Sequence, residues 1–309
     1  SQDKCLGVFD LQSPELDAFD KRYVGVLTLL ASQAAVAIEN ARLYRKVRAN
    51  ESRLRKEVRL AQRVQVGLLP AELPIRPGVE AAARFEPARE LGGDFYEVMA
   101  PEAPLFVAAV GDVSGKGAAA ALYGAFAGEL VRSRTFRRRY LPEQSSPATV
   151  LASINTILHE RQLEGYFCAL CYAAFDFDRG AVVVANSGLP FPIHSGADGT
   201  RQFGGPGIPL GLFPGSDYDE TRLPFAPGDV FVFCTDGIFE ANDDAGDEFG
   251  AERLLRVVER ARDLPARTIV DAIFEAVTEF HGGAQQADDM TAVVLKISTP
   301  SGSAASPRA

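Results

Sequence analysis

Apolar positions along the chain follow two periods, and the change from one to the other divides it. Between residues 19 and 48 apolar side chains recur every three or four residues, at Val26, Leu29, Leu30, Val36 and Ile38 and then Leu43 and Val47, the spacing of one helix face. The stripe continues in heptads through Val47, Leu54, Ala61 and Leu68, with Leu43, Asn50, Glu57 and Val64 on the alternate seam, and Pro70 and Pro74 end it. Polar residues interrupt this seam. The helix therefore reads either as a parallel two-stranded coil or as a solvated linker. Upstream, residues 5–11 read as a strand and Ser13-Pro14 as a turn. One strand and one helix make no core, so residues 1–45 are expected to pack on something absent from the chain or to be cut from a longer one.

From residue 79 the pattern changes to short apolar runs. Strands are predicted at 79–85, 105–110, 167–176, 181–185, near 191–195, and at 221–225, 229–234 and 291–298; helices are predicted at 118–131, 149–163, 251–260 and 265–280. Asp178-Arg179-Gly180 fits a hairpin turn, residues 186–211 alternate breakers as a loop does, and residues 299–309 read as a disordered tail. Helices grouped between blocks of antiparallel strands indicate stacked sheets flanked by helices rather than a doubly wound fold.

Composition narrows the class. The 309 residues are 47% hydrophobic and 24% charged, which suits a soluble chain with one substantial core. The run at 23–38, broken by Thr28, Ser32 and Gln33, reads as too short to span a bilayer, and no basic region with a cleavage site precedes it. A cytoplasmic location without a membrane partner is the expectation. The net charge is -9, and the basic stretches at 42–63 and 132–139 alternate with acidic or apolar residues, so no nucleic-acid partner is expected. Cys168 and Cys171 are two apart but lie in an apolar run with no second pair, and read as buried strand residues rather than a zinc or redox site; Cys234 reads likewise. His159, His194 and His281 have no ligand spacing.

The chemistry gathers around Phe106-Val107-Ala108-Ala109-Val110-Gly111-Asp112-Val113-Ser114-Gly115-Lys116-Gly117, where a buried strand delivers a lone carboxylate before a glycine-rich turn. Asp112 is either a turn aspartate or a metal ligand. Three further stretches repeat the arrangement: Gly92-Gly93-Asp94-Phe95-Tyr96, Thr235-Asp236-Gly237 after an apolar run, and Asp288-Asp289 before Met290-Thr291. Four acidic positions, each beside a strand, can converge on one end of a sheet.

Taken in order with Leu69-Pro70, Asn186-Ser187-Gly188-Leu189-Pro190, Gly211 and Phe249-Gly250, these motifs resemble the SpoIIE and RsbU type of PPM (PP2C-like) serine/threonine phosphatase over residues 79–297. The pattern from Leu6-Gly7-Val8-Phe9 and Phe19 to Ala31 through Tyr44 resembles the C-terminal end of a GAF sensory domain, a family that often dimerises through this helix. The implied fold class is α+β, a PPM/PP2C-like α-β-β-α sandwich preceded by a long linker helix and a partial GAF domain. The implied division is 1–45 GAF remnant, 46–74 helical linker, 75–298 phosphatase domain and 299–309 tail.

The resemblance implies two divalent metal ions, Mn2+ or Mg2+, and hydrolysis of phosphoserine or phosphothreonine by a water activated between them. The implied substrate is a regulatory protein such as an anti-sigma-factor antagonist, and the implied assembly is a homodimer through the linker. By motif, Asp112 resembles the bridging ligand, the Val113 carbonyl a further ligand of the first metal, and Asp236 and Asp288 ligands of the second, with Asp94 reaching that site directly or through water. Asp289 either joins the ligands or orients neighbouring groups, and Lys116 either faces substrate phosphate or lies in solvent. The linker either only dimerises the chain or passes a change of register to the helix that begins at Ala118. Two other readings stand beside the phosphatase: a catalytically weak or inactive signal-coupling module that binds a regulatory partner, and a metal-dependent nuclease or nucleotide hydrolase, which the absence of a basic channel disfavours.

Overall fold

The computed structural model describes residues 5–16, 18, 20–137, 146–161, 165–283 and 286–299. Phe19, the end of the helix expected at 149–163, part of the basic stretch at 132–139 and the tail from residue 300 lie outside them. The chain divides into two compact units, Ser1–Leu60 and Ala61–Ala309.

The helical period is realised without a break: α1 (Lys21–Leu68) runs for 48 residues, residues 61–68 belonging to the second unit. Asp20 caps it, its Oδ1 accepting from the amides of Arg22 and Tyr23, each at 2.9 Å. The seam side chains Leu43, Val47 and Leu54 are exposed. Two expectations are corrected here. Residues 5–11 form no strand, because no neighbouring strand among the described residues offers them a ladder. The apolar run is also not too short for a bilayer: by length and composition α1 is apolar enough to cross one, with an 18-residue window of mean hydropathy 1.4. Ala31, Ala34, Ala35 and Ala37 keep that window apolar across Ser32 and Gln33.

The second unit contains β1 (Val79–Glu86), β2 (Phe95–Met99), β3 (Leu105–Val113), α2 (Ala118–Arg137), α3 (Pro147–Glu160), β4 (Cys168–Asp176), β5 (Ala181–Asn186), β6 (Ile193–Gly196), β7 (Gly199–Gln202), β8 (Glu220–Pro224), β9 (Val230–Cys234), α4 (Asp236–Phe239), α5 (Gly250–Ala261), α6 (Ala266–His281) and β10 (Met290–Ile297). The strands form two antiparallel sheets of five, ordered β1-β10-β9-β6-β7 and β2-β3-β4-β5-β8. Between them lies an aromatic and aliphatic layer that includes Phe106, Phe175, Phe231, Phe233 and Leu295. Phe175 and Phe231 meet edge to face at 5.1 Å. Leu151 and Ile154 of α3 and Ala120 and Val131 of α2 cover the outer face of the second sheet. Leu254 and Val258 of α5 and Ile269, Ile273 and Phe274 of α6 cover the first. This is the α-β-β-α sandwich.

Because both faces of these sheets are covered, their central strands are apolar throughout, and the period of two shows only in which layer each residue enters. In β3, Phe106, Ala108 and Val110 point between the sheets while Val107, Ala109 and Val113 point to the helices. Asp112 therefore continues the inter-sheet row, at its end. Three elements were not expected from the sequence: β2, which carries the buried Glu97; the polar edge strand β7; and the single turn α4.

Candidate metal centre

The inter-sheet rows of four strands end at one place. In the second sheet β2 starts just after Asp94, which shares parity with Tyr96 and Val98, and β3 ends with Asp112. In the first sheet Thr235 continues the row of Phe231 and Phe233, and Thr291 the row of Val293 and Leu295. Asp94 is buried, and its Oδ2 accepts from Thr235 Oγ1 at 2.7 Å and from Thr291 Oγ1 at 2.6 Å. Thr235 Oγ1 itself accepts from the Thr291 amide at 3.0 Å. A carboxylate rooted in one sheet is thus held by hydroxyls of the other.

Around this pair the charges are crowded. Burial, then the Asp112 charge, pushes the Asp94 carboxyl well above the usual range. Burial, then the Asp236 charge, pushes Asp112 up to about 7, although it is hydrogen-bonded to Asp94. Asp236, at the start of α4, is raised by burial and by Asp288. Asp288 Oδ2 lies 3.0 Å from Lys116 Nζ, which also donates to the Ala287 carbonyl at 2.6 Å. Asp289, its neighbour in sequence, turns away: Oδ1 accepts from the Ala88 amide at 2.8 Å and Oδ2 from the Gly93 amide at 2.7 Å.

The predicted residues thus sort into three kinds of position. Asp94, Asp112, Asp236 and Asp288 are linked through their charges, Asp289 adds its charge to Asp94 and Asp112 while anchoring the loop before β2, and Lys116 stands beside Asp288. Among the described residues no three acidic, cysteine or histidine side chains close on one point as a finished cage. The donor chemistry nevertheless fits hard divalent cations, since carboxylates that repel one another in a buried place are relieved by positive charge. The backbone fits too. A Cβ on Gly93 would lie 2.6 Å from the Val113 carbonyl oxygen and 3.4 Å from Asp112 Oδ1, so glycine leaves open the two oxygens assigned by motif to the first metal. His159, His194 and His281 are engaged with the Gly211 carbonyl, Asp229 and the Asn242 carbonyl. Cys168, Cys171 and Cys234 are buried and unbridged, and burial pushes the Cys171 thiol up to about 12, so thiolate ligation has no support here.

Sequence reading missed three residues of this neighbourhood. Thr235 and Thr291 could have been found by carrying strand parity one step past the apolar runs. Gln65, on the last turns of α1, is the buried residue of that helix and hydrogen-bonds Gly92 in both directions. Its only signal is a polar residue beside Val64 and Leu68.

Comparison with known proteins agrees with this architecture. Residues 105–298 match the SpoIIE family, described as Stage II sporulation protein E. The chain is 26% identical over 255 residues to the phosphoserine phosphatase RsbU of Bacillus subtilis, covering 81% of this chain and 72% of that protein. It is 24% identical over 264 residues to protein IcfG of Synechocystis, covering 78% of this chain but only 41% of that one. The SiaA-PP2C domain of Pseudomonas aeruginosa superposes with a TM-score of 0.71 at 20% identity, over 81% of this chain and 99% of that domain, which shows a shared PP2C fold. The family match covers well over half of the sequence, including β3 with Asp112, α4 with Asp236 and the Asp288-Asp289 pair, and the chain belongs to the SpoIIE family of PP2C-like proteins.

Proposed function

We propose that the chain is a metal-dependent protein serine/threonine phosphatase, hydrolysing phosphoserine or phosphothreonine on a regulatory protein. The observation that carries this reading is the crowding of Asp94, Asp112, Asp236 and Asp288 where Gly93 packs close to the Val113 carbonyl. In this reading Asp112 would serve both ions, the Val113 carbonyl the first, and Asp236 and Asp288 the second, with Asp94 reaching the second directly or through water. Bound Mn2+ or Mg2+ would supply an acidified water and positive charge against the phosphoryl oxygens, the two requirements of a very slow hydrolysis. The chain's own contribution is orientation. Thr235 and Thr291 hold Oδ2 of Asp94 and so set the direction of its other oxygen, and Asp289 fixes the backbone of Gly93.

The likeness to RsbU supports a phosphoserine substrate, and the motif resemblance makes a small anti-sigma-factor antagonist the first candidate. Homodimerisation through the exposed seam of α1 completes the proposal. The test is hydrolysis of 4-nitrophenyl phosphate by the full chain with Mn2+, with Mg2+ and with chelator, alongside Asp112→Asn. Metal-dependent turnover that falls in Asp112→Asn by more than the about 10 to 100-fold typical of an outer-shell group is expected. Equal rates with and without chelator overturn the enzyme reading. Turnover of the aryl phosphate without release of phosphate from a phosphorylated antagonist would remove that substrate alone.

A further inference from the structure

Lys116 occupies a position that phosphate binding alone does not explain. Its ammonium is 3.0 Å from Asp288 Oδ2 and donates to the Ala287 carbonyl at 2.6 Å, so it is tied to the Asp288 loop twice. Its positive charge also reaches Asp236 and Glu240. The loop that carries it follows directly on β3, which carries Asp112, and it bends sharply: Gly115 and Gly117 on either side have φ of 89° and 83°, conformations in which a side chain is strained.

We propose that Lys116 is a built-in competitor of the second metal ion, a tethered monovalent cation that shares Asp288 Oδ2 with it and so sets the metal concentration at which the centre fills. This inference rests on the reading of Asp288 as a ligand of that ion. An ammonium ion-paired with Oδ2 and a divalent cation on the same oxygen compete, since the two positive charges repel and draw on one carboxylate. The competition is graded. Lys116 and Asp288 side chains are 37% and 39% exposed, and ion pairs that wet are weak, so a divalent ion can displace the ammonium. Once displaced, the ammonium still repels a cation a few ångströms away, which lowers affinity without abolishing it. The first ion, assigned to Asp112 and the Val113 carbonyl, does not use the contested oxygen. The two affinities should therefore be split, with Lys116 acting on the weaker.

The experiment is Mn2+ titration of the full chain by calorimetry, with manganese electron paramagnetic resonance to count free ion, in wild type, Lys116→Met, Lys116→Gln and Lys116→Arg. Circular dichroism checks folding, and the two neutral variants guard against a local effect of either side chain. The expected result is that both neutral variants bind the weaker class of Mn2+ about tenfold more tightly, while the tighter class is unchanged and Lys116→Arg stays near wild type. Unchanged or weakened Mn2+ affinity in both neutral variants overturns the proposal. A loss of inhibition by inorganic phosphate at constant Mn2+ affinity would also overturn it, by making Lys116 a phosphate ligand. Absence of Mn2+ binding in wild type and in every variant sinks the metal centre itself, an outcome distinct from the failure of Lys116 as competitor.

Discussion

Gln65 and Gly92 exchange two hydrogen bonds: Gln65 Nε2 donates to the Gly92 carbonyl at 2.6 Å, and the Gly92 amide donates to Gln65 Oε1 at 3.3 Å. Two residues further on stands Asp94. Gln65→Ala should leave a buried carbonyl and a buried amide unpaired, which costs about 1–3 kcal/mol per orphaned group, and free the loop that positions Asp94. Turnover is expected to fall about 10 to 100-fold with Mn2+ affinity reduced alongside it. Steady-state rates across a Mn2+ titration, with a thermal melt for stability, check this; wild-type metal dependence in Gln65→Ala would show the contact to be inert.

Asp288 and Asp289 should separate by readout. Asp289 accepts from two backbone amides, so Asp289→Asn places an NH2 against a donor and is expected to lower stability by about 1.5–3 kcal/mol, the range for hydrogen bonds to a charged group. Asp288→Asn removes a half-exposed carboxylate from the centre and should leave the melt near wild type while lowering Mn2+ affinity and turnover. Urea denaturation with calorimetric Mn2+ titration of each variant distinguishes them, and the reverse pattern would transfer the ligand role to Asp289.

Thr235→Val and Thr291→Val each delete one hydroxyl donor to Asp94 Oδ2 with little change of shape. Each should cost about 1–3 kcal/mol. Because both act on one oxygen, the double variant is expected to depart from additivity by about 0.5 kcal/mol or more. Additive losses in a chemical-denaturation cycle would mean that the two hydroxyls do not share Asp94.

Glu97 gives a pH signature. It is buried and ion-paired with Arg132, and burial, only partly offset by that guanidinium, pushes its carboxyl up to about 7. With a native value above the ordinary carboxylate value, the folded state holds a proton that the unfolded chain has released. Glu97 therefore favours folding most at low pH and loses that contribution as pH rises from about 4.5 through 7. The melting temperature of wild type minus that of Glu97→Gln should fall between pH 5 and pH 8. A flat difference would refute the shift.

Much of this architecture could be read in advance because buried strands are written as apolar runs and the acidic motifs sit at their ends. β3, β4, β9 and β10 all lie within a few residues of their expected bounds. What was hidden shares a cause: its partner is distant in sequence. β2 is short, begins after two glycines and includes Glu97, whose burial depends on Arg132 from α2. β7 is an edge strand with no apolar alternation, fixed by pairing with β6. Residues 5–11 err the other way, with strand-forming composition but no ladder to join. In the centre the carboxylates were legible by type, whereas the different tasks of Asp288 and Asp289 come from which amides fold against them, and no spacing rule encodes that.

The bridging position of Asp94 has one more consequence. Its backbone leads into β2 of one sheet, while the hydroxyls that orient it stand just after β9 and within β10 of the other, far away in the sequence of this unit. A chain emerging from the ribosome has Asp94 and Asp112 long before Asp288 and Thr291 exist, and a chain truncated before residue 288 never acquires them. On the assignment of Asp288 proposed above, chemical competence arrives only with the last strand. On that assignment a nascent chain with one layer unfinished lacks both the Asp288 carboxylate and the Thr291 hydroxyl that holds Asp94.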